Sequence, residues 1–338
     1  MNTSESSYSG NYFSHIYIEK EAEAYPVTKD ILARFKASNI ISIGHYKDIF
    51  NRPRQNFALQ KQAPSLILAV KHGELIYPGA VVCQSFGNEH FYYTSNVMNC
   101  LYDCEYCYLQ GMYPSGNVVI FVNLEDIFRR TDELLKEHSV YMCISYDTDL
   151  MALDGITGFI SRWCEFAAAR PDLKIEIRTK SARLIPPSCA KSENIIFAWT
   201  LSPDEIIGKY EHRTPALSNR LKAIRAAKDA GYTVRLCFDP LIHVPDYDKI
   251  YAGMFRQVFS VIDGDEILDC SLGLFRISAD YLKKMRNSRQ GLITSYPYTN
   301  TNGVCSYDEK KSREILNFAE SELTKYVSSE KIYTMITV

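Results

Sequence analysis

The sequence predicts an α/β fold whose main part consists of six strand–helix repeats. From Phe91 onward, short apolar runs typical of strands alternate with amphipathic stretches typical of helices, which is the pattern of parallel β/α units. The chain has 338 residues, of which 46% are apolar, so it is long enough to bury a large core. No apolar run approaches the ~18 residues that a membrane-spanning helix needs.

Before these repeats, residues 15–85 predict an N-terminal α/β arm. A helix is expected over Val27–Ala37, with Thr28 as its N-cap. Residues 1–14 are polar, lack the basic and apolar regions of a signal peptide, and are expected to form a mobile tail. The strands of the arm are predicted at His15–Glu19, Asn39–Ile43 and Ser65–Val70.

The arm also contains a basic segment, Lys47–Lys61, in which Phe50 and Phe57 lie among lysines and arginines. Such a mixture can bind a nucleic-acid backbone and stack on bases. The alternative is a solvated loop whose aromatic side chains dock on the domain. A short apolar run, Ala80–Cys83, follows and is predicted to pair as a strand with Phe91–Val97.

The six repeats occupy residues 86–286. The helix that precedes Gly231 is expected to stop there, because glycine adopts the positive φ of a C′ position at no steric cost. The helix after the third strand is poorly marked. Strands are predicted at Phe91–Val97, Val140–Tyr146, Leu173–Arg178, Asn194–Leu201, Tyr232–Phe238 and Glu266–Phe275. Helices are predicted after the cap residue Asn123 and over Gly155–Ala169, Leu217–Ala230, Tyr247–Ile262 and Ala279–Arg286.

Residues 287–338 form a C-terminal extension. Its first part, Asn287–Cys305, is rich in Tyr, Asn, Thr and Gly. An amphipathic helix over Asp308–Tyr326 and a last strand over Lys331–Thr337 are expected to follow.

Three cysteines, Cys100, Cys104 and Cys107, stand in one loop at Cx3Cx2C spacing after the first strand of the repeats. Three thiolates can bind three irons of a [4Fe–4S] cluster and leave the fourth iron open to a cofactor or a substrate. The loop is expected at the C-terminal ends of the strands, where β/α barrels carry their chemistry. The alternatives are three structural thiols, or a zinc site completed by a distant ligand such as His90.

Cx3Cx2C with an aromatic residue before the third cysteine resembles the motif of the radical S-adenosylmethionine (SAM) enzymes. The longer run Cys100–Gln110 is similar to that of one branch, the spore photoproduct lyases. The resemblance covers nearly the whole chain and implies a partial (β/α)6 TIM-like barrel of the radical SAM type, with an N-terminal arm and a C-terminal hairpin/helix extension. Further similar stretches are Tyr17–Glu19, Tyr25–Pro26, Val122–Ile127 and Ala230–Tyr232.

The resemblance implies two cofactors: a [4Fe–4S] cluster on Cys100, Cys104 and Cys107, and SAM on the open iron. Lys180 matches a lysine that meets the SAM carboxylate, and Thr200 matches a serine on the ribose side. The positions that match SAM contacts are Tyr106, Thr148, Asp149, Lys180 and Thr200.

The reaction that the resemblance implies is repair of the spore photoproduct, 5-thyminyl-5,6-dihydrothymine, to two thymines. A 5′-deoxyadenosyl radical abstracts hydrogen from C6, a cysteine donates hydrogen to the resulting thymine radical, and tyrosines return hydrogen to regenerate SAM. Tyr106 and Tyr108 match the relay positions. The sequence departs from the family at Tyr146, which stands where the donor cysteine is usual.

The donor must therefore lie elsewhere, or the chemistry differs. Cys83 is the first candidate, because pairing of its strand with the strand that leads into the cysteine loop would carry its thiol to the cavity rim. Cys305 is the second candidate. Cys143 is the third, but it lies three residues from Tyr146 on the same predicted strand, and side chains at an odd offset point to opposite faces of a strand. The remaining cysteines, expected to be buried, are Cys164, Cys189, Cys237 and Cys270. Catalytic roles are therefore predicted for Cys83, Tyr106, Tyr108 and Tyr146.

The predicted partners are UV-damaged DNA carrying the lesion and an electron donor such as flavodoxin or ferredoxin, with no membrane. A formal charge of -2 argues against a nucleic-acid coat protein, but a local basic patch suffices for phosphate contacts. The lesion must be extruded from the base stack to be reached. Candidate DNA contacts are Arg286, Arg289, Lys310, Lys311, Tyr296 and Tyr298.

Ten cysteines without an export signal favour a reducing cytoplasm, and the resemblance adds the spore core. Two other functions stay open. One is a similar radical SAM enzyme that acts on a different nucleic-acid substrate, for which Tyr146 is the main support. The other is a non-enzymatic iron–sulfur or zinc protein.

Overall fold

The structure, a computed structural model, describes residues 12–335. The first elements in chain order are β1 (His15–Glu19), α1 (Pro26–Arg34), β2 (Asn39–Ile43), α2 (Lys47–Phe50), α3 (Phe57–Gln62), β3 (Leu66–Ala69), β4 (Ile76–Pro78), β5 (Phe91–Thr94), β6 (Val97–Met98), β7 (Asp103–Cys104) and α4 (Leu109–Met112). Two 3-10 helices, Lys20–Ala24 and Ser329–Lys331, are left unnumbered.

The remaining elements follow the cysteine loop. They are β8 (Val118–Phe121), α5 (Leu124–Leu134), β9 (Val140–Cys143), α6 (Leu150–Thr157), α7 (Phe159–Ala168), β10 (Leu173–Thr179), β11 (Ile195–Thr200), α8 (Asp204–Tyr210), β12 (Glu211–His212), α9 (Leu217–Asp229), β13 (Thr233–Leu241), α10 (Tyr247–Phe259), β14 (Cys270–Leu274), β15 (Arg276–Ser278), α11 (Ala279–Ser288), α12 (Leu292–Ser295), β16 (Thr299–Thr301), β17 (Val304–Ser306), α13 (Glu309–Leu323) and β18 (Ile332–Met335).

The main sheet has eight strands in the order β4-β5-β9-β10-β11-β13-β14-β18. All neighbouring strands are parallel except β4 and β5. Across residues 12–335 its two edge strands, β4 and β18, do not pair with each other, so the barrel is open. The six predicted strands form its interior, and the predicted partial barrel is confirmed.

A second sheet contains strands from both sides of the expected boundary at residue 85. Its order is β2-β1-β3-β8-β6, so β8 and β6, which flank the cysteine loop, join the N-terminal arm. The four residues of β8 are all buried, as expected for a strand covered on both faces. Similarly, β18 belongs to the main sheet, although it was expected in a separate C-terminal extension.

Two local predictions for the N-terminal arm were wrong. Tyr25, not Thr28, is the N-cap of α1, because Pro26 takes the first helical position; the Thr28 hydroxyl donates to the Ala22 carbonyl at 2.6 Å. The predicted strand at Ala80–Cys83 is a turn, and the segment that pairs with β5 is Ile76–Pro78.

The predicted helix over Gly155–Ala169 is two helices, because Gly158 has a φ of 63° and interrupts it. Gly231, by contrast, ends α9 as predicted, with a φ of 85°. Residues 1–11 of the expected mobile tail lie outside the described residues. Its last part is packed, since Phe13 is fully buried and its ring lies 5.3 Å from that of Phe35. None of the helices within residues 12–335 has the length and apolar character needed to cross a membrane.

Candidate active site

The cysteine loop is fixed at the carboxyl ends of the barrel strands. Its short strand β7 pairs with β12, which follows β11, and the Glu105 amide donates to the Tyr210 carbonyl at 2.8 Å. The side-chain amide of Gln110 donates to the Cys104 carbonyl at 2.7 Å. From the N-terminal arm, the buried ammonium of Lys61 donates to the Cys100 carbonyl. The loop is therefore held by both halves of the molecule.

The three thiols of this loop are electrostatic neighbours. Burial raises the pKa of all three, that of Cys100 to about 11, and each is raised further by the charge of another acidic group. Lys61 and Lys180 act in the opposite direction on Cys107. Three thiols flanked by two cations are a donor set that fits an iron–sulfur cluster with three protein ligands, because the cations offset the negative charge of thiolates and cluster.

The zinc alternative through His90 is not supported. His90 precedes β5, at its amino end, and its ring stacks on that of His138 at 3.9 Å. The cysteine loop lies at the opposite end of the barrel. Within residues 12–335, no group of three or more His, Cys, Asp or Glu side chains, the three cysteines included, is placed so that it could hold a metal ion. The assignment of Cys100, Cys104 and Cys107 as cluster ligands stays a prediction.

One side of the barrel mouth, here called the cofactor wall, consists of Tyr106, Lys180, Glu211 and Arg220. The Tyr106 hydroxyl donates to Glu211, which also forms an ion pair with Arg220 in which both side chains are 0% exposed. The Lys180 ammonium lies 5.4 Å from the centre of the Tyr106 ring. Burial acts to lower the pKa of Lys180, but Glu211 and Cys104 raise it above its usual value. Lys180 is therefore a cation at the mouth, suited to a carboxylate.

The other predicted SAM contacts lie beside this wall. Asp149 caps α6 through the Ala152 amide at 3.0 Å and accepts from the Lys180 amide at 2.6 Å, so its carboxylate orients the end of β10. The buried hydroxyl of Thr148 has no hydrogen-bond partner among the described residues. Thr200 ends β11, is buried, and its carbonyl accepts from Arg220 at 3.0 Å. An orphaned hydroxyl beside a lysine fits a polar ligand such as SAM.

The opposite side of the mouth, here called the donor wall, consists of Cys83, Tyr93, Tyr108 and Tyr146. The Cys83 thiol lies 3.5 Å from the Tyr146 hydroxyl. The Tyr146 ring stacks on that of Tyr93 at 4.0 Å and lies 5.8 Å from that of Tyr108. The Tyr108 hydroxyl donates to the Tyr146 carbonyl at 2.7 Å. The structure thus brings together Cys83, Tyr146 and Tyr108, but it holds Tyr106 on the cofactor wall.

The turn that carries Cys83 is anchored by Arg276. The guanidinium donates to the Val82 carbonyl at 2.7 Å and makes two bonds, of 2.9 and 2.8 Å, to the carboxylate of Asp239. Cys143 is buried on β9, and Cys305 is buried in β17 of the C-terminal hairpin. Cys164, Cys189, Cys237 and Cys270 are buried, as predicted.

The candidate DNA contacts are less available than the sequence indicated. Arg289 pairs with Asp103 of the cysteine loop at 2.7 Å, and Arg286 donates to two backbone carbonyls, those of Thr294 and Tyr296. The rings of Tyr296 and Tyr298 pack together at 4.9 Å. Lys310 is exposed, whereas Lys311 is half-buried and pairs with Glu314. Basic residues near the mouth thus mainly support the protein itself.

Sequence reasoning missed Glu211, Arg220, Asp147 and the role of Lys61. Lys61 belongs to the basic segment for which nucleic-acid binding is one of the two interpretations. Its side chain is instead buried against the cysteine loop, and Phe50 and Phe57 are buried as well. Asp147 accepts from Tyr113 at 2.8 Å and Tyr108 at 3.4 Å. A single Glu, Arg or Asp carries no local motif, so only the fold identifies these residues.

An open parallel barrel with a three-cysteine loop and a lysine at its carboxyl end has the architecture of the radical SAM class. The family model described as spore photoproduct lyase matches residues 12–331. The chain therefore belongs to the spore photoproduct lyase family.

Individual relatives are similar to this chain over most of its length. The spore photoproduct lyase of Clostridium acetobutylicum is 23% identical over 96% of this chain and 99% of its own. That of Bacillus subtilis is 22% identical over 77% of each chain. A solved spore photoproduct lyase complexed with dinucleoside spore photoproduct has a TM-score of 0.80 at 18% identity, with 96% of this chain and 99% of that chain covered. A mutant with bound AdoMet and the same dinucleoside has a TM-score of 0.79 with the same coverage and identity. These structural matches support the fold.

Proposed function

We propose that this enzyme is a radical SAM carbon–carbon lyase that repairs the spore photoproduct in DNA, 5-thyminyl-5,6-dihydrothymine, to two thymines. The observation that carries the proposal is the 3.5 Å contact between the Cys83 thiol and the Tyr146 hydroxyl on the donor wall. It supplies a hydrogen donor beside the very residue that replaces the usual cysteine. Membership in the family and relatives named spore photoproduct lyase support the same reaction.

The cofactor wall would bind and orient the cofactors. A [4Fe–4S] cluster on Cys100, Cys104 and Cys107, together with SAM, would supply a 5′-deoxyadenosyl radical when both are bound. The Lys180 ammonium would pair with the SAM carboxylate, and the hydroxyls of Thr148 and Thr200 would bond to its polar groups. Asp149 would position Lys180 through the backbone.

The donor wall would supply hydrogen to the substrate. After the cross-link breaks, the Cys83 S–H bond would break and a C–H bond would form on the thymine radical, which leaves a thiyl radical. The Tyr146 O–H would then return a hydrogen atom to that sulfur and become a phenoxyl radical. Tyr108, whose ring lies 5.8 Å from that of Tyr146, is the next group toward the cofactors.

A second candidate function is a similar radical reaction on a different nucleic-acid substrate. Tyr146 at the usual donor position favours it, because a change of donor can accompany a change of lesion. The electron donor is proposed to be a flavodoxin or ferredoxin, and the cytoplasm or spore core to be the compartment; both rest on resemblance.

The test is anaerobic reconstitution followed by repair of a synthetic dinucleoside spore photoproduct with SAM and a strong reductant. The expected result is ~4 iron and ~4 sulfide per chain and recovery of thymine. Formation of 5′-deoxyadenosine without thymine would favour the second candidate. About one zinc per chain and no SAM cleavage would contradict both.

A further inference from the structure

The N-terminal sheet has an edge of its own that is suited to a ligand. Its strands β2, β1, β3 and β8 are all parallel and stand in that order. The connection after β1 leads to β2 on one side, whereas the chain after β3 continues to β8 on the other side, so β1 and β3 form a topological switch point. Open α/β sheets bind ligands outside the carboxyl ends of the strands at such a point. Glu19, at the end of β1, holds the two adjoining loops, since it accepts from the amides of Tyr46 at 2.5 Å and Val70 at 2.9 Å.

A cavity of about 360 Å³ lies at this edge, between the N-terminal sheet and the barrel. We call it the N-terminal crevice. Its lining includes His45, Lys47, Lys71, Tyr77, Tyr93 and Phe121. Ligand cavities in proteins span about 300–1,000 Å³, so one nucleotide fits. None of the predicted cluster or SAM residues lines it. Tyr93 belongs both to the crevice lining and to the donor wall, because the same ring stacks on that of Tyr146.

Lys71 is the central group of the crevice. Its ammonium lies 5.0 Å from the centres of both the Tyr77 and the Phe121 rings, and its hydrogen-bond acceptor is the Ser95 carbonyl at 3.4 Å. Among the described residues, no carboxylate oxygen forms an ion pair with this ammonium within 4 Å. Burial lowers its pKa to about 8, and Asp147 acts in the opposite direction. A desolvated cation without a contacting anion is costly unless a ligand supplies the anion.

The remaining groups point to the same class of ligand. Lys47 adds positive charge at the rim and His45 adds an imidazole there, and both side chains are exposed. Tyr77 and Tyr93 stack with ring centres 5.1 Å apart and offer an aromatic surface for a base. The acidic group that lines the crevice, Asp147, has both carboxylate oxygens engaged by the hydroxyls of Tyr113 and Tyr108.

We propose that the N-terminal crevice binds one nucleotide unit, with its phosphate on Lys71 and its base against the tyrosine rings. The crevice shares a wall with the donor side of the barrel mouth, so the nucleotide would be one that flanks the lesion in the substrate strand. This assignment rests on the proposed function. A free nucleotide carries the same phosphate and base, so the experiment distinguishes a free nucleotide from one that belongs to the substrate strand.

The first arm compares two substrates: a lesion-bearing single-stranded oligonucleotide and the dinucleoside lesion, which has no flanking phosphate. In Lys71→Met, the ratio of kcat/KM for the oligonucleotide to that for the dinucleoside falls roughly tenfold, the scale of one charged hydrogen bond. Lys71→Arg restores most of the ratio, and Lys136→Met, at an exposed lysine outside the lining, is the matched control. The plot of the logarithm of the oligonucleotide binding constant against the logarithm of the salt concentration becomes less steep by roughly 0.7, because one phosphate contact is lost.

The second arm does not need activity. Equilibrium dialysis measures binding of thymidine 5′-monophosphate and of an undamaged oligonucleotide to the wild-type protein and to Lys71→Met. Loss of monophosphate binding in the variant with an unchanged substrate ratio assigns the site to a free nucleotide. If neither the ratio, the salt slope nor dialysis responds to Lys71→Met, the crevice is a solvent-filled junction and the proposal is overturned. Failure of the wild-type protein to repair either substrate contradicts the proposed function instead, and dialysis then still decides the crevice.

Discussion

The two walls of the barrel mouth are stabilised by different interactions. The cofactor wall is ionic, because Glu211 and Arg220 form a fully buried pair beside the Lys180 ammonium. The donor wall is neutral and consists of a thiol and stacked phenols. Burial raises the pKa of Cys83, and burial together with Cys83 raises that of Tyr146.

The difference separates two chemical tasks. Fixed charges orient a charged cofactor, and they keep their value only where water is excluded. A hydrogen-atom donor must instead keep its hydrogen, so a raised pKa is useful there. The comparison therefore predicts that substitutions on the cofactor wall change stability and binding, whereas substitutions on the donor wall change the fate of the substrate radical.

The largest expected effect comes from Glu211→Gln on the cofactor wall. The substitution leaves the buried Arg220 guanidinium without its counter-charge, and breaking a buried pair from one side costs about 3–5 kcal/mol. The free energy of unfolding, measured by denaturant titration, should fall by that amount. Glu266→Gln is the matched control, because its pair with Arg225 is 32% exposed on each side and its loss should leave the free energy of unfolding nearly unchanged.

The same carboxyl predicts a pH dependence. Burial alone would raise the pKa of Glu211, but Arg220 and Lys180 lower it from 4.5 to about 2. The stabilisation is therefore complete above about pH 4.5 and is lost as the pH falls toward 2, by roughly 3 kcal/mol in total. Glu211→Gln should flatten this part of the stability curve. An equally steep curve in the variant would mean that other carboxyls dominate the acid transition.

On the donor wall, Cys83→Ser should abolish most repair. A hydroxyl of nearly the same size fills the space, but its O–H bond is too strong to give hydrogen to a carbon radical. Removal of a positioned proton donor typically costs ~100-fold or more, and we expect a loss of the same order for a positioned hydrogen-atom donor. Thymine recovery should fall on that scale while 5′-deoxyadenosine formation persists. Cys305→Ser is the control, and a larger loss in that variant would move the donor to the C-terminal hairpin.

A smaller effect is expected from Arg276→Lys, because Arg276 acts on Cys83 through the backbone carbonyl of the neighbouring Val82. Lysine keeps the charge but cannot bond at once to the Val82 carbonyl and to both oxygens of Asp239. Repair should fall roughly tenfold, less than the ~100-fold that a 1 Å misplacement of a reacting group can cost. The informative measurement is thymine formed per 5′-deoxyadenosine, which a general loss of stability would not change. Arg225→Lys is the exposed control.

The sequence predicted the barrel better than its surroundings. The interior strands β9, β11 and β14 are fully buried, and helices separate most of the six interior strands along the chain, although β10 leads to β11 through a loop without a helix; parallel pairing follows from that order. The partners of β8 and β18 could not be predicted, because a short apolar run specifies a strand but not the sheet that it joins. That is why three strands, β6, β8 and β18, lie in sheets on the other side of the expected domain boundaries.

The candidate site shows the same limit. The cysteine motif identified its loop directly, because three spaced thiols are rare and specific. The placement of Cys83 near the mouth agreed with the structure although the pairing argument was wrong, since Ile76–Pro78 pairs with β5 and Cys83 follows in a turn. Glu211 and Arg276 carry no signal in the sequence, because their roles arise from contacts with residues that are nine and 37 positions away, respectively.

The smallest expected effect is that of Tyr146→Phe, and it tests whether the donor wall has a relay. The variant keeps the ring that stacks on Tyr93 at 4.0 Å but removes the hydroxyl 3.5 Å from the Cys83 sulfur. Cys83 can still donate, so a single turnover should be nearly normal. Return of hydrogen to sulfur should be slower, which raises the amount of SAM consumed, and of 5′-deoxyadenosine released, per repair roughly threefold, the scale of one neutral hydrogen bond. Tyr93→Phe removes the hydroxyl of the neighbouring ring, for which no contact with Cys83 is seen among the described residues. Equal ratios in the two variants would mean that Tyr146 only supports the stack, and the thiyl radical would then have to be restored by a group outside the donor wall.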